Sequence, residues 1–484
     1  MTEQSFLPKI SLIDRDNEIT LLLEKTREVI AGERRVVYFE ARGGLGKTRL
    51  LHDYPVLVRN SEGNIPVLVA DIIDMYAFEN RKPIEFGWRI VNSLIAAAKA
   101  HGLADTIIDA IFSQYRYAYD TYHTIRGYSH QATRDAEEGI HKELVKACNA
   151  LANYAPLALR FDNFEEILNA HPPKFAFVYD RSPLVGDHNS REAADATSIN
   201  SLVLRWFYKY IPTLEKTLIL IAGRPSKDSK LDWPVGINMI TCNLKAITSK
   251  EGYVAFLKAQ RSVFRKQNKK AKKHSIDTME ANDDLVPCIQ SITGGLPLMI
   301  TLFAQAWMRE ILRIPPEQST DKYPPGNSYE LEDRLITQIF SLLNRPRPTQ
   351  PSEAVDWLQQ YTFIFCLFIL SCARRGIRRR DLYQVFDNLK IEYDRDVIQN
   401  LEDEALVKST TSGVNKNHNE DSLLFLHDEI QALIDQSRKL DQLNYRKPIL
   451  EFLCKISNAE ATKSGNLQLK LFSDHLYYEL TRDI

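Results

Sequence analysis

Residues 35–48 read Arg35-Val-Val-Tyr-Phe-Glu-Ala-Arg-Gly-Gly-Leu-Gly-Lys-Thr48, and this stretch decides the fold. Arg35 to Glu40 is a short run rich in β-branched and aromatic residues, the composition of a buried strand. The glycines follow, then Lys47 and Thr48, then helical spacing through Leu50, Leu51 and Tyr54. Strand, glycine-rich turn and helix in that order make an anion cradle. Gly43, Gly44 and Gly46 let backbone amides come close to a ligand and tolerate positive φ. The helix beginning near Lys47 aims its first amides, and the positive end of its dipole, at phosphate oxygens. Lys47 supplies a cation for the β- and γ-phosphates, and the Thr48 hydroxyl supplies a ligand for Mg²⁺. Leu45 and Arg49 complete the candidate phosphate-binding set. Ala41 stands where this pattern usually has its first glycine.

Outward from the loop, strands alternate with helices. Apolar spacing predicts a helix over 16–31, with Asp16 as its cap. Further strands are expected at Ile65–Ala70, Pro156–Phe161, Thr217–Ala222 and Ile237–Cys242. A helical region to about residue 152 is broken by a polar stretch near 128–135. A helix is expected over Leu202 to Tyr210. Residues 169–195 lack periodicity and read as an inserted loop. The alternation implies an α/β fold with a doubly wound parallel sheet. From about 248 to 311 the pattern is helical only, and the proline-rich stretch 312–329 reads as a linker. Residues 361–435 read helix, helix, helix, two short strands and a helix, the order of a winged-helix unit. The expected domains are 1–245 for the nucleotide, 246–330 for a helical lid and linker, 331–437 for the winged helix and 438–484 for a helical segment.

Two strand ends carry further chemistry. Asp162 ends an apolar strand, where a Mg²⁺-organising carboxylate belongs; a strand-ending helix cap is the plainer reading. The next position, where many ATPases with a glycine-rich phosphate loop carry a second acid, is Asn163, so hydrolysis is expected to be slow. Glu165 is the candidate to activate water, and a solvated helix face is the alternative for Glu165 and Glu166. Arg224, in Ala222-Gly-Arg-Pro225, ends another strand and can reach a γ-phosphate, because parallel strands point their C-terminal ends at the ligand crevice. A surface arginine in a turn set by Pro225 is the alternative.

Composition excludes several classes. The 484 residues are 44% hydrophobic and 26% charged, with a net charge of −1, so no global field steers the chain to nucleic acid or anionic membrane. The six cysteines are scattered without paired spacing, which argues against a zinc site or disulfide framework and fits a reducing cytoplasm. No basic start followed by an apolar run opens the sequence, so no signal peptide is expected. The longest apolar stretch, Phe363 to Leu370, is too short to span a bilayer.

Taken together these motifs resemble the STAND class of P-loop ATPases, the NB-ARC and NACHT proteins of signal transduction. Leu12-Ile-Asp-Arg-Asp-Asn-Glu-Ile19 resembles the segment that closes over adenine in that class, which implies roles for Ile13 and Arg15; the family usually has glycine where Asp14 stands. Cys242 to Tyr253 looks like the run into the helical lid. Gly294-Gly-Leu-Pro-Leu298 matches the GLPL motif, with Pro297 against adenine or ribose. Leu426-His-Asp428 looks like the MHD motif, with His427 at the β-phosphate. The alternatives are a plain helix–turn–helix junction at Gly294–Leu298 and a satisfied turn histidine at His427.

The resemblance covers about residues 10–435 and implies a switch. ADP and Mg²⁺ hold the inactive form; exchange for ATP frees the modules to assemble into a ring or filament; slow hydrolysis resets them. Only about forty residues precede the loop, so effector and sensor functions are expected on partner proteins or on repeats that Leu469 to Leu480 would begin. Two rivals remain: a DNA-binding AAA+ ATPase with a winged helix, and a scaffold holding nucleotide without hydrolysis. Nucleic-acid contact is weighed at Arg265–His274 and at Arg374–Arg380, with solvated or internal surfaces the default. Tyr115, Tyr117, Tyr119 and Tyr122 are expected to pack in a core or interface rather than stack on bases.

Overall fold

The computed structural model describes residues 12–61, 65–75, 80, 82–125, 129–168, 202–225, 239–267, 286–309, 311, 336–337, 339–342, 347–373, 376–403, 406–410, 423–436 and 445–464. Two compact units form. One is Arg15–Arg42 with Gly46–Lys245; the other is Ala246–Ile484 with Met1–Asp14 and Gly43–Leu45.

The first unit is an α/β sheet structure. β1 (Arg35–Glu40), β2 (Leu68–Asp74), β3 (Leu157–Asp162), β4 (Thr217–Gly223) and β5 (Met239–Asn243) lie in the order β2-β3-β4-β1-β5, and every pairing is parallel. Both faces are covered, as an all-parallel sheet requires. In β1, Val36 and Tyr38 join the large core with α3 (Pro83–Ala100), α4 (Asp105–Ile125), α5 (His130–Ala152) and residues 202–210. Val37 and Phe39 point the other way and are equally buried. Here α1 (Asp16–Ile30) and α2 (Lys47–Asn60) cover the sheet, closed by a hydrogen bond between Thr26 Oγ1 and Tyr54 Oη at 3.0 Å. Arg160 sits inside β3, only 7% exposed. Its guanidinium donates to the Ala70 and Leu51 carbonyls at 2.9 and 2.6 Å, which satisfies a charge that the apolar strand would otherwise strand.

Three local expectations are corrected. The second strand starts at Leu68, not Ile65, and runs on to Asp74. Pro66 has no N–H for a ladder, and pairing with β3 is irregular between Val69 and Ile72. Asp16 is not the cap: Arg15 holds that position with no side-chain hydrogen bond, so Asp16 acts from the first turn on the helix dipole. The helical region breaks at 101–104 and again at Ser129. Residues 130–135 are helical because the Ser129 hydroxyl caps α5, accepting from the Ala132 N–H at 3.1 Å. Of the tyrosines, Tyr115 and Tyr122 are buried, Tyr119 stacks on Trp88 with ring centroids 4.3 Å apart, and Tyr117 is exposed.

In the second unit, the helix Lys250–Gln267 packs on Pro297–Met308, joined by Gln260 Nε2 donating to Thr301 Oγ1 at 2.8 Å. The helix Pro351–Cys372 buries the whole of 361–370 inside the unit. Among the described residues, no helix is long and apolar enough to cross a membrane. After it come β6 (Ile377–Arg378), helices Arg379–Asn388 and Arg395–Asp403, β7 (Val407–Thr410), β8 (Leu423–Leu426) and the helix Asp428–Gln436. The three strands pair antiparallel in the order β6-β8-β7. The short strand β6 is an addition to the element order read from the sequence. A helix Arg446–Ser464 follows. The 169–195 loop, the linker at 312–329, most of the basic run at 265–274 and Leu469–Leu480 lie outside the described residues.

His141 is packed in an edge contact with Trp206 and a tilted one with Tyr210, and its buried Nδ1 has no hydrogen-bond partner among the described residues. Burial, then the nearby Lys209 charge, push its pKa down to about 4, against a smaller opposing pull from Glu138. The unfolded chain therefore takes up a proton near pH 6.5 that the folded chain refuses until about pH 4. Stability is fully present above that window and falls as the pH drops through it. In urea unfolding at pH 7.5 and 5.0, the wild type should lose about 2 kcal/mol more than His141→Phe between the two conditions.

Candidate functional site

β1 is flanked by β4 and β5, with Glu40 level with Gly223 and Asn243. The chain leaves β1 at this edge, Ala41 N–H donating to the Gly223 carbonyl at 3.2 Å, and turns through 42–46 into α2. Gly44 and Gly46 have φ of 74° and 90°, and Gly46 is the left-handed residue at which α2 begins. Lys47 is 8% exposed. Its Nζ reaches back over the loop and donates to the carbonyls of Ala41 and Arg42, both at 2.8 Å. Thr48, one turn position on, is exposed, while Arg49 pairs with Asp53 at 2.6 Å along the helix.

The Thr48 hydroxyl donates to Asp162 Oδ2 at 2.6 Å, across 114 residues of sequence. Asp162 ends β3, 3% exposed, and its Oδ1 accepts the Asn163 N–H at 2.9 Å. Asn163 takes φ 54°, a conformation asparagine tolerates, and its amide Nδ2 donates to Asp74 Oδ1 at the end of β2 at 2.8 Å. The neutral Asn163 thus bridges two acids that would otherwise repel across the ends of β2 and β3. Glu165 and Glu166 are 4% and 3% exposed. They do not form the solvated face that was the alternative: the segment is tied to β4 by the Phe164 N–H donating to the Ala222 carbonyl at 3.0 Å, and Phe164 and Ile167 pack in the core.

Arg224 follows β4. Its backbone N–H donates to Glu165 Oε2 at 3.1 Å, and its guanidinium Nε pairs with Glu165 Oε1 at 3.3 Å. Its carbonyl accepts from Tyr38 Oη at 3.1 Å. Burial, reinforced by the Glu40 and Glu165 charges, raises the Tyr38 pKa, so the hydroxyl stays a donor. The Arg224 backbone is therefore held on both sides, and its guanidinium is paired with Glu165. Lys47, Thr48, Asp162, Glu165 and Arg224 thus come together at the C-terminal edge of β1, β3 and β4. Tyr38, Asp74 and Asn163 complete the arrangement. Sequence reading singled out Asn163 but gave Tyr38 and Asp74 no role, since a strand tyrosine and a strand-ending aspartate carry no signal until the register is known.

The remaining candidates are placed as follows. Arg15 is 5% exposed and donates through Nη2 to the Lys245 carbonyl at 2.8 Å. Ile13 is half-buried, and Asp14 takes φ 58°, the conformation glycine would supply at that position. In the second unit, Gly294 and Gly295 have φ of 57° and 73°, and Pro297 starts the next helix at its first turn. The Gly295 carbonyl accepts from the Ile247 N–H at 2.9 Å. His427 joins β8 to the helix Asp428–Gln436, half-buried, its carbonyl accepting the Gln431 N–H at 2.9 Å. In the basic turn before Arg379–Asn388, Arg378 pairs with Asp381 and Glu460, each at 2.6 Å, and Arg380 with Glu460 at 2.6 Å. Arg379 is 3% exposed. Arg378 and Arg380 are thus engaged by carboxylates of the same unit.

A Cβ at Gly46 would meet nothing within 4 Å, so the cost of a side chain there is conformational alone. Gly46→Ala should lower stability by about 1–2 kcal/mol and Gly46→Asn by less, read as the shift in urea midpoint at constant m-value. No protein-family model matches the chain, and no curated protein matches it significantly.

Proposed function

We propose that the chain is an ATP/ADP-dependent switch of the STAND kind: a P-loop nucleotide domain followed by a helical lid and a winged-helix domain. The observation that carries this reading is the Thr48–Asp162 hydrogen bond at the mouth of a glycine loop whose lysine is folded over it. A hydroxyl and a carboxylate side by side, both oxygen donors, fit a hard divalent cation such as Mg²⁺. Phosphates would lie on the amides of 43–48 and the start of α2, with Lys47 turning from its loop carbonyls to a phosphate oxygen. Bound Mg²⁺ would neutralise charge on the β- and γ-phosphates.

Turnover is slow in this reading. Asn163 is an amide and cannot take a proton from water. Glu165 could, yet both of its oxygens are engaged by Arg224. A site that binds nucleotide well and cleaves it poorly suits a switch more than a metabolic enzyme. Pro297 and His427 are the candidates to read base and β-phosphate, and Ile13 and Arg15 to close over adenine. The ATP form would self-associate into a ring or filament, passing a signal in immunity, cell death or regulation. Asn163 also favours a second reading, a scaffold that keeps its nucleotide uncleaved. Phosphate release separates the two: slow release on added ATP supports the switch, none supports the scaffold.

The direct test is the nucleotide carried by purified protein, identified by chromatography after denaturation, beside Lys47→Ala. Stoichiometric ADP is expected in the wild type, and the variant should bind at least about tenfold more weakly, given the loss of a charge-assisted contact. Protein that is empty and also fails to bind added Mg-ATP would refute the reading.

A further inference from the structure

The Glu165–Arg224 pair is built in an unusual way. One carboxylate holds the same residue twice, by its backbone N–H at 3.1 Å and by its guanidinium at 3.3 Å. Tyr38 holds the far side of that residue through its carbonyl at 3.1 Å. The space is tight as well: a Cβ on Gly223 would stand 2.7 Å from Tyr38 Oη and 3.3 Å from the Glu165 backbone nitrogen. The backbone of Arg224 is therefore bracketed, while its side chain is the more exposed member of the pair. The Arg224 side chain is 34% exposed; that of Glu165 is 6% exposed. The carboxylate is the buried partner and the guanidinium is the one that solvent, or a ligand, reaches.

We propose that Glu165 is a latch that sets the preference between nucleoside tri- and diphosphate by competing for Arg224. The proposal rests on the nucleotide reading above. With a diphosphate, the guanidinium stays on Glu165. A terminal phosphate at the C-terminal edge of β1 and β4 offers a second anion to the same cation. A guanidinium forms strong charge-assisted contacts with phosphate oxygens, and an ion pair whose cation is a third exposed is weak enough to be exchanged for one. The exchange leaves the Arg224 backbone where it was, since Oε2 and Tyr38 still hold it. Only the side chain reports the ligand. The same exchange unburdens Glu165 when a terminal phosphate is present, so the group able to accept a proton becomes available only with the ligand that can be cleaved.

The test uses full-length, nucleotide-stripped protein titrated with Mg-ATP and Mg-ADP by calorimetry, and reads the ratio of the two dissociation constants. Glu165→Gln keeps an oxygen for the Arg224 N–H and removes the competing charge. It should shift the ratio toward ATP by about three- to tenfold while leaving ADP affinity within about twofold, the range expected for releasing a partly exposed ion pair. Arg224→Gln should shift the ratio the other way, and the double variant should show no further effect of Glu165→Gln. Tyr38→Phe, which touches only the carbonyl side, should change both affinities together. A general loss of fold would weaken both nucleotides equally and leave the ratio alone. If the wild type binds both nucleotides and Glu165→Gln leaves their ratio unchanged, the latch is wrong while the nucleotide reading stands. If the wild type binds neither, the nucleotide reading itself fails.

Discussion

The insertion of β4 between β1 and β3 is the constraint on which the rest depends. Parallel pairing puts Glu40 level with Gly223 and Phe161 level with Ile221, so three strands end on one edge. Everything of chemical interest leaves the sheet there: the glycine loop after β1, Asp162 after β3 and Arg224 after β4. A strand slipped by one residue would turn Val36 and Tyr38 out of their core and carry the strand end with them. Because both faces of the sheet are packed, that slip is prohibitively unfavourable, and the packing far from the site is what fixes the site.

The second feature is how the fold tolerates so much charge at low exposure. Asp162, Glu165, Glu166 and Arg160 are each under a tenth exposed. An unpaired charge in such a place would be strongly destabilising. Each solution is local and different. Arg160 is absorbed by two carbonyls, Asp162 by a hydroxyl and a backbone amide, and Glu165 by a guanidinium and a backbone amide. Asn163 adds a neutral spacer between Asp162 and Asp74. The result is a cluster whose members hold one another, so an arriving anion or cation must exchange contacts instead of simply adding them. Such exchange is what lets a bound ligand bias one arrangement over another.

The second unit handles its basic residues in the same manner. Arg378 and Arg380 share Glu460 from the helix Arg446–Ser464, and Asp381 completes the network. Burial raises the Asp381 pKa against the opposing pull of Arg378, while Arg378 and Arg380 lower that of Glu460. Arg378 and Arg380, read in the sequence as part of a basic run, tie the start of the helix Arg379–Asn388 to the helix Arg446–Ser464.

The sequence by itself determined the α/β alternation, β1 residue for residue, and the glycine loop with Lys47 and Thr48. These are legible because strand composition, glycine punctuation and helix spacing are local properties. It also placed Asp162 and Arg224 at strand ends, though as separate guesses. The start of β2 and the cap of α1 were misread because pairing partners and φ/ψ at the helix start outweigh composition. Only the tertiary structure decided that Thr48 meets Asp162, that Glu165 is buried on Arg224, and that Tyr38, Asp74 and Asn163 belong to the same edge. Those facts follow from which strand lies beside which, and strand order depends on long-range packing that no window of sequence contains.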